Sequence, residues 1–305
     1  MFGGTGFVGN YLVSELLDNG YQVNALIRSG SEHKLSQVDE CNVINGCIED
    51  DNAVEEVIKV SDVVIYNIGI IREFESKSIT YEKLHYKGAK STIDLSKKYN
   101  IDRYIMMSAN GVKPNGTDYQ ITKYKADVYL KNNIKNWTII RPSLIFGDSN
   151  GKKEFCSELK KDMLSLPIPA PSFFSGFNVL SAGKFKMSPI HVQDIAKIFV
   201  SSINNNHAFK KIYELGGEDY SWNEIIKIIS KACNKKKMMI PAPALFVYLI
   251  AFLLDRFNWF PISRDQLSML LEGNICKSDI IFKSYNVMPV EFNVLNLKYL
   301  LNGKK

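Results

Sequence analysis

Apolar positions in the first half of the chain fall into short blocks that alternate between a helical period and a strand period. Residues 11–17 carry apolar side chains at helical spacing, and 21–27 then alternate as a strand does. Val43-Ile44 before Gly46 reads as a further strand, 53–60 as a helix capped by Asp50 or Asp51, and 62–67 as another strand. A long helix is predicted over about 79–99, a strand over 103–107, a helix over 119–131 and a strand over 137–141. This alternation dictates an α/β fold with a parallel sheet covered on both faces, because each right-handed crossover covers one of them.

After Arg141-Pro142 the rhythm breaks. Residues 149–187 hold Pro167, Pro169, Pro171 and Gly176 among short apolar pieces, which predicts an irregular lobe. A helix starts within 189–196, a strand follows at 211–215 before Gly216-Gly217, and the remainder reads as mainly helical. The longest apolar run, 244–254 between Pro243 and Asp255, is too short to span a bilayer. It is either a buried helix or one that faces a membrane surface or a partner, and Trp259-Phe260-Pro261 fit both.

The chain opens on Gly3, Gly6 and Gly9 at G-x-x-G-x-x-G spacing, directly before the first helix. In a strand-turn-helix context this pattern cradles a pyrophosphate: the first glycine turns the chain, the second admits the phosphates, and the third lets the helix pack against the sheet. Amides at the helix N-terminus then hold the anion. Asp18-Asn19-Gly20 closes the helix with a left-handed cap, as the unit requires. The predicted fold is therefore a Rossmann doubly wound parallel sheet over 1–148. A smaller, mainly helical C-terminal substrate or partner lobe occupies 149–305, with 188–216 packing back on the Rossmann domain. The first strand offers only Met1 and Phe2 before Gly3, where four to six apolar residues are usual. Either translation begins upstream or the nucleotide site is damaged, and the intact remainder of the domain favours an upstream start.

Charge is uneven. Residues 1–150 hold 17 Lys/Arg against 19 Asp/Glu and the rest 21 against 13, so the net charge of +6 divides into −2 and +8. The Lys235-Lys236-Lys237 run reads as a solvated loop, and nothing resembles a nucleic-acid motif. Five cysteines without C-x-x-C or metal-ligand spacing fit a reducing, cytoplasmic compartment, and no signal-peptide pattern is visible.

Arg28 closes the second strand, the position that sorts the two nicotinamide dinucleotides. An arginine there meets a 2′-phosphate, so the expected cofactor is NADPH. Cofactor contacts are expected from Gly3, Thr5, Gly6, Phe7, Val8 and Gly9, from Arg28, from Asn67 and Gly69 after the strand at 62–67, and from Lys123. Tyr119 and Lys123 lie four apart on one helical face, where the ammonium would lower the phenol pKa and the pair could move a proton; Ser108 at the end of a strand could bond the same oxygen. With 15 tyrosines and 32 lysines the spacing is expected by chance once or twice, and Tyr86-x-x-x-Lys90 also has it. That second pair is expected to lie away from the nicotinamide end. His191, at a helix start after a proline, reads as a residue that caps or packs.

Together, residues 3–9, 62–65, 67–70, 85–89, 108–111, 119–123 and 137–147 resemble the atypical short-chain dehydrogenase/reductases. The branch they are most similar to is the NAD(P)-binding accessory-subunit-nine family of respiratory complex I with its bacterial relatives. Residues 189–196, 213–217 and 262–267 extend the likeness into the C-terminal half. The resemblance implies bound NADPH and, in mitochondrial members, a structural role; relatives are linked to quinone biosynthesis or to assembly of redox complexes. Cys47 stands where relatives carry Asp, and Ser108 and Tyr119 are closer in sequence than in sugar-nucleotide epimerases. Two function classes follow. One is an NADPH-binding accessory or assembly factor of complex I or quinone metabolism, peripheral on a membrane or respiratory complex. The other is an oxidoreductase or epimerase that uses Tyr119 and Lys123 on a small or prenylated substrate.

Overall fold

The computed structural model describes residues 1–254 and 262–301 and divides into two compact units. The first comprises Met1–Pro142, Val192–Leu215 and Ser278–Met288. Its strands are β1 (Asn24–Ile27), β2 (Asn42–Asn45), β3 (Val63–Tyr66), β4 (Arg103–Met107), β5 (Asn136–Pro142) and β6 (Lys211–Leu215), and every pairing among them is parallel. β4 is buried along its whole length, the pattern of a strand covered on both faces.

Phe2 joins the sheet into one. It pairs in parallel with Leu26 of β1 on one side and Tyr66 of β3 on the other. Its N–H donates to Ile65 O (2.9 Å), its carbonyl accepts from Asn67 N (2.9 Å), and Met1 O accepts from Leu26 N (3.1 Å). The order across the sheet is thus β2, β1, Phe2, β3, β4, β5, β6, the Rossmann order, with the reversal of winding at Phe2. Phe2 makes the connection between β1 and β3.

Helices α1 (Phe7–Asp18) and α5 (Val192–Ser201) pack on each other. Helices α2 (Asp51–Lys59), α3 (Gly88–Lys98) and α4 (Asp118–Asn133) cover the face where Phe2, Val54, Ile58, Ile93, Tyr104 and Leu130 form one apolar core. Arg103 is buried, and its guanidinium donates to Ser202 O (2.5 Å) and Ile203 O (2.8 Å) just past the end of α5, satisfying carbonyls that the helix leaves open.

The helix expected over about 79–99 is two pieces, a π-helical turn at Glu82–Lys87 followed by α3. The cause lies on β3. Tyr66 Oη donates to Leu84 O (2.5 Å), and a Cβ on Gly88 would sit 2.5 Å from that Oη. The phenol occupies space that only glycine leaves and takes a carbonyl out of the regular ladder.

The second unit comprises Ser143–His191, Gly216–Lys277 and Pro289–Lys305. Its 149–187 stretch is more regular than expected: Ala170–Phe174 is a strand, paired in parallel with Met239–Pro243. Proline occurs in both, as a two-stranded sheet tolerates because each strand is an edge strand with one row of backbone donors facing no partner strand. Lys235 and Lys237 are tethers as well as solvated side chains: Lys235 Nζ reaches Ser165 Oγ (3.1 Å) and Lys237 Nζ reaches Leu166 O (2.6 Å). For the helix Ala244–Leu254 the buried alternative fails, because only Ala244 and Ala251 are buried while Leu245, Phe246, Leu249, Phe252 and Leu253 are exposed. Trp259 and Phe260 lie outside the described residues.

Phe2→Ala is expected to lower stability by about 3–5 kcal/mol, the cost of emptying a fully buried aromatic site, and urea unfolding followed by circular dichroism reads it.

Candidate nucleotide site

Gly3, Arg28, Asn67 and Ser108 each follow a parallel strand at its carboxyl end, so the topology gathers them along one edge of the sheet. Gly3 has φ +88°, and a Cβ there would lie 2.8 Å from the Asn67 carbonyl oxygen. A Cβ on Gly9 would lie 2.1 Å from Gly3 O and 2.6 Å from Gly4 O. These contacts are closer than any side chain allows, so the glycines are required by packing. Helix α1 starts after Gly6, which has no side chain to cap it, and its first turn carries no acid. Its leading amides are thus open to an anion at the positive end of the helix dipole, which fits a pyrophosphate.

Asn10, which the sequence pattern did not single out, holds this loop. Its Nδ2 donates to Gly4 O (3.1 Å), Gly6 O (2.9 Å) and Lys34 O (3.1 Å), and its Oδ1 accepts from Ser36 N (3.0 Å) and Ser36 Oγ (2.9 Å). A polar residue on the buried side of an otherwise apolar helix was the available signal. Asn67 Nδ2 lies 3.4 Å from Gly3 O, joining the loop after β3 to the cradle. Arg28 is exposed immediately after β1.

The start of α4 is fixed by a capping box: Thr117 Oγ1 accepts from Gln120 N (3.4 Å) and Gln120 Oε1 from Thr117 N (2.9 Å), while Gln120 Nε2 donates to Gly111 O (3.0 Å). Tyr119 therefore sits in a rigid first turn, with Lys123 and Asp127 following at intervals of four residues. Lys123 Nζ donates to Met107 O (3.0 Å) and Ile68 O (3.4 Å). Burial lowers its pKa to about 8, with Asp127 opposing the shift. Burial also pushes the Tyr119 phenol up to about 12, the opposite of the lowering expected from a neighbouring ammonium. The lysine is directed at carbonyls, and desolvation governs the phenol.

Ser108 does not hydrogen-bond Tyr119. Its buried Oγ lies by the Asp127 carboxyl, which it helps to hold charged, yet neither Ser108 Oγ nor Asp127 Oδ1 makes a hydrogen bond of regular geometry. Asp127 Oδ2 accepts from Arg141 Nε (3.0 Å) and Nη2 (2.8 Å), and burial raises the Asp127 pKa against that pairing. The arginine-proline segment at the end of β5 thus supplies the counter-ion of a fully buried acid. Its sequence signal was the interval of four from Lys123.

The segment carrying Tyr86 and Lys90 is nearer the site than expected. Tyr86 and Lys90 themselves face Tyr129, but Tyr81 and His85 pack on Tyr119, with ring centroids 5.6 and 5.1 Å away. His191 packs edge-on against Phe146 in the second unit.

A helix amide cradle at the turning point of a doubly wound parallel sheet defines a dinucleotide-binding protein. The chain belongs to the NAD(P)H-binding family, whose profile matches residues 3–165, and is an atypical short-chain dehydrogenase/reductase that resembles subunit nine of complex I. The 40 kDa subunit of mitochondrial NADH-ubiquinone oxidoreductase from Neurospora crassa is 24% identical over 310 residues, 98% of this chain and 78% of that protein. Subunit 9 of the NADH dehydrogenase [ubiquinone] 1 alpha subcomplex of Dictyostelium discoideum is 28% identical over 266 residues, 84% of this chain and 70% of that protein. The Thermus thermophilus UDP-glucose 4-epimerase, solved in complex with NAD, has the same fold with a TM-score of 0.70 at 14% identity, covering 99% of this chain and 97% of that one.

Gly9→Ala is expected to abolish NAD(P)H binding, more than about 100-fold in Kd, because the added methyl overlaps two carbonyls. Gly20→Ala, where a Cβ meets open space at φ +77°, is expected to cost about 1 kcal/mol of stability and leave binding intact. Fluorescence titration of both variants separates the two effects.

Proposed function

We propose that the protein is an NADPH-binding accessory or assembly factor associated with respiratory complex I or quinone metabolism, working at a membrane surface. The observation that carries this reading is the disposition of Lys123 and Ser108. The ammonium is spent on two backbone carbonyls and the hydroxyl is turned toward Asp127, an arrangement suited to holding a nucleotide rather than to moving a proton. Bound NADPH supplies a hydride donor. The residues of this chain supply the pyrophosphate cradle at Gly3, Thr5, Gly6, Phe7, Val8 and Gly9, the 2′-phosphate contact at Arg28, and the wall formed by Asn67, Gly69 and Lys123. Similarity to complex I subunits over most of the chain supports the association with a respiratory complex.

The second unit supports a peripheral membrane role. The helix Ala244–Leu254 exposes Leu245 at 71% and Leu253 at 64%, and Phe177 and Leu180 are exposed in the loop that follows Ala170–Phe174. Ala170–Phe174 pairs with Met239–Pro243, which runs directly into the helix, and the pairing of Phe174 with Pro243 puts loop and helix start at the same end of the sheet. No helix of the described residues is long and apolar enough to cross a membrane. An apolar face on a half-chain of net charge +8 suits an anionic bilayer surface.

A second reading, an oxidoreductase or epimerase with Tyr119 as acid-base group, Lys123 beside it and Ser108 assisting, draws on the alignment of Tyr119 and Lys123 along α4 and on the lowered lysine pKa. Substrate-dependent oxidation of bound nucleotide distinguishes it from the accessory role.

Two outcomes are expected. NADPH binds at least a few-fold more tightly than NADH, the margin of an exposed charge-assisted contact of about 1 kcal/mol, and Arg28→Ala erases that margin; equal affinities in the parent protein refute the selectivity. In sedimentation with anionic vesicles the intact protein pellets at low salt and less so at high salt, while Leu249→Glu stays largely in the supernatant. A parent protein that never pellets overturns the surface role.

A further inference from the structure

We propose that His85 is a positioning residue of the nucleotide site, which locks the loop 68–71 to the first turn of α4 and braces the Tyr119 ring. The proposal rests on the reading above that the dinucleotide lies along Asn67 and Gly69. His85 is buried, at 1% exposure, inside the π-helical turn Glu82–Lys87 that Tyr66 creates. Its Nε2 accepts from Ile70 N (3.1 Å), so the ring proton is on Nδ1, which donates to Thr122 Oγ1 (3.2 Å). Thr122 Oγ1 in turn donates to Asp118 O (2.8 Å). The polarity of this chain is continuous: loop amide to imidazole, imidazole to threonine, threonine to the carbonyl that opens α4.

Neighbouring groups complete the lock. Tyr81 stacks on the imidazole at 5.2 Å, and its hydroxyl donates to Ile71 O (2.9 Å); Lys123 Nζ lies 3.4 Å from Ile68 O. Three side chains thus bond three residues of one short loop. Gly69 sits between them, with a Cβ position 3.3 Å from Lys123 Nζ and 3.9 Å from His85 Nε2, so a side chain there would press on the lysine ammonium. Tyr119 meets the imidazole edge-on at 87°.

The groups facing His85 are Tyr81 from its own segment, Thr122, Tyr119 and the Lys123 ammonium from α4, and the Ile70 amide from the loop. A second ring proton would point at the Ile70 N–H beside that ammonium, so the imidazole is held neutral; burial and Lys123 lower its pKa to about 2. Neutrality is what lets it accept from the loop.

His85→Phe keeps a ring and removes the acceptor, whereas His85→Gln removes the ring and keeps an acceptor. In the full-length protein, His85→Phe is expected to weaken NADPH binding about ten-fold or more and to release the Ile70 amide to hydrogen exchange. His85→Gln is expected to bind within about three-fold of the parent with the amide still protected. In the parent, nitrogen NMR of His85 is expected to report the Nδ1–H tautomer without titration between about pH 5.5 and 8, a readout independent of how either variant folds. Affinity and amide protection unchanged in His85→Phe, or an Nε2–H or titrating imidazole in the parent, overturn the proposal. Absence of any nucleotide binding in the parent refutes the nucleotide reading instead, and the exchange and NMR arms still decide the role of His85.

Discussion

The first unit depends on the approach of one backbone segment to another at Gly3, Gly4 and Gly9. The hypothetical 2.1 Å between a Gly9 Cβ and Gly3 O measures how closely α1 is drawn against the turn it leaves. That approach aims the uncapped amides of α1 at the space beyond the carboxyl ends of the strands, where the phosphates of a dinucleotide belong. Asn10 holds the arrangement from inside, with every polar atom of its side chain bonded to loop backbone or to Ser36. Phe2, immediately before the turn, supports it by bridging β1 and β3.

Along the first turns of α4, desolvation decides the chemistry. Lys123, Asp127 and Arg141 form a buried charge sequence in which the acid has its own arginine and the lysine answers to backbone carbonyls. Tyr119 is half-buried, with Tyr81 and His85 edge-on against its ring, and its phenol is harder to ionise than in water. Such a constellation binds and orients readily, and it moves protons only if a ligand redirects the lysine or supplies a new hydrogen bond to the phenol. The accessory reading follows from that balance, and the enzymatic reading requires it to change on binding.

Much of the first unit is legible in one dimension, because each strand of a covered parallel sheet is an apolar block and each helix keeps its period. The glycine turn, the cap at Asn19-Gly20 and the shared face of Tyr119 and Lys123 depend on local spacing, so residue order reveals them. The π-helical turn at Glu82–Lys87 is not legible, since its cause is a phenol arriving from β3. The direction of Ser108 and the raised phenol pKa likewise depend on burial by elements distant in sequence. In the second unit, the pairing of Ala170–Phe174 with Met239–Pro243 hides behind prolines, and the exposure of Ala244–Leu254 cannot be inferred from composition because an apolar run suits a core and a docking surface equally.

The central claim is that the chain retains a nicotinamide dinucleotide in the cradle at Gly3 to Gly9. Native mass spectrometry of the intact purified protein tests it most directly. The account predicts a stoichiometric adduct with the mass of NADPH, lost on denaturation and restored by adding the nucleotide back. A protein that emerges without any dinucleotide and takes up neither NADPH nor NADH at millimolar concentration would contradict it.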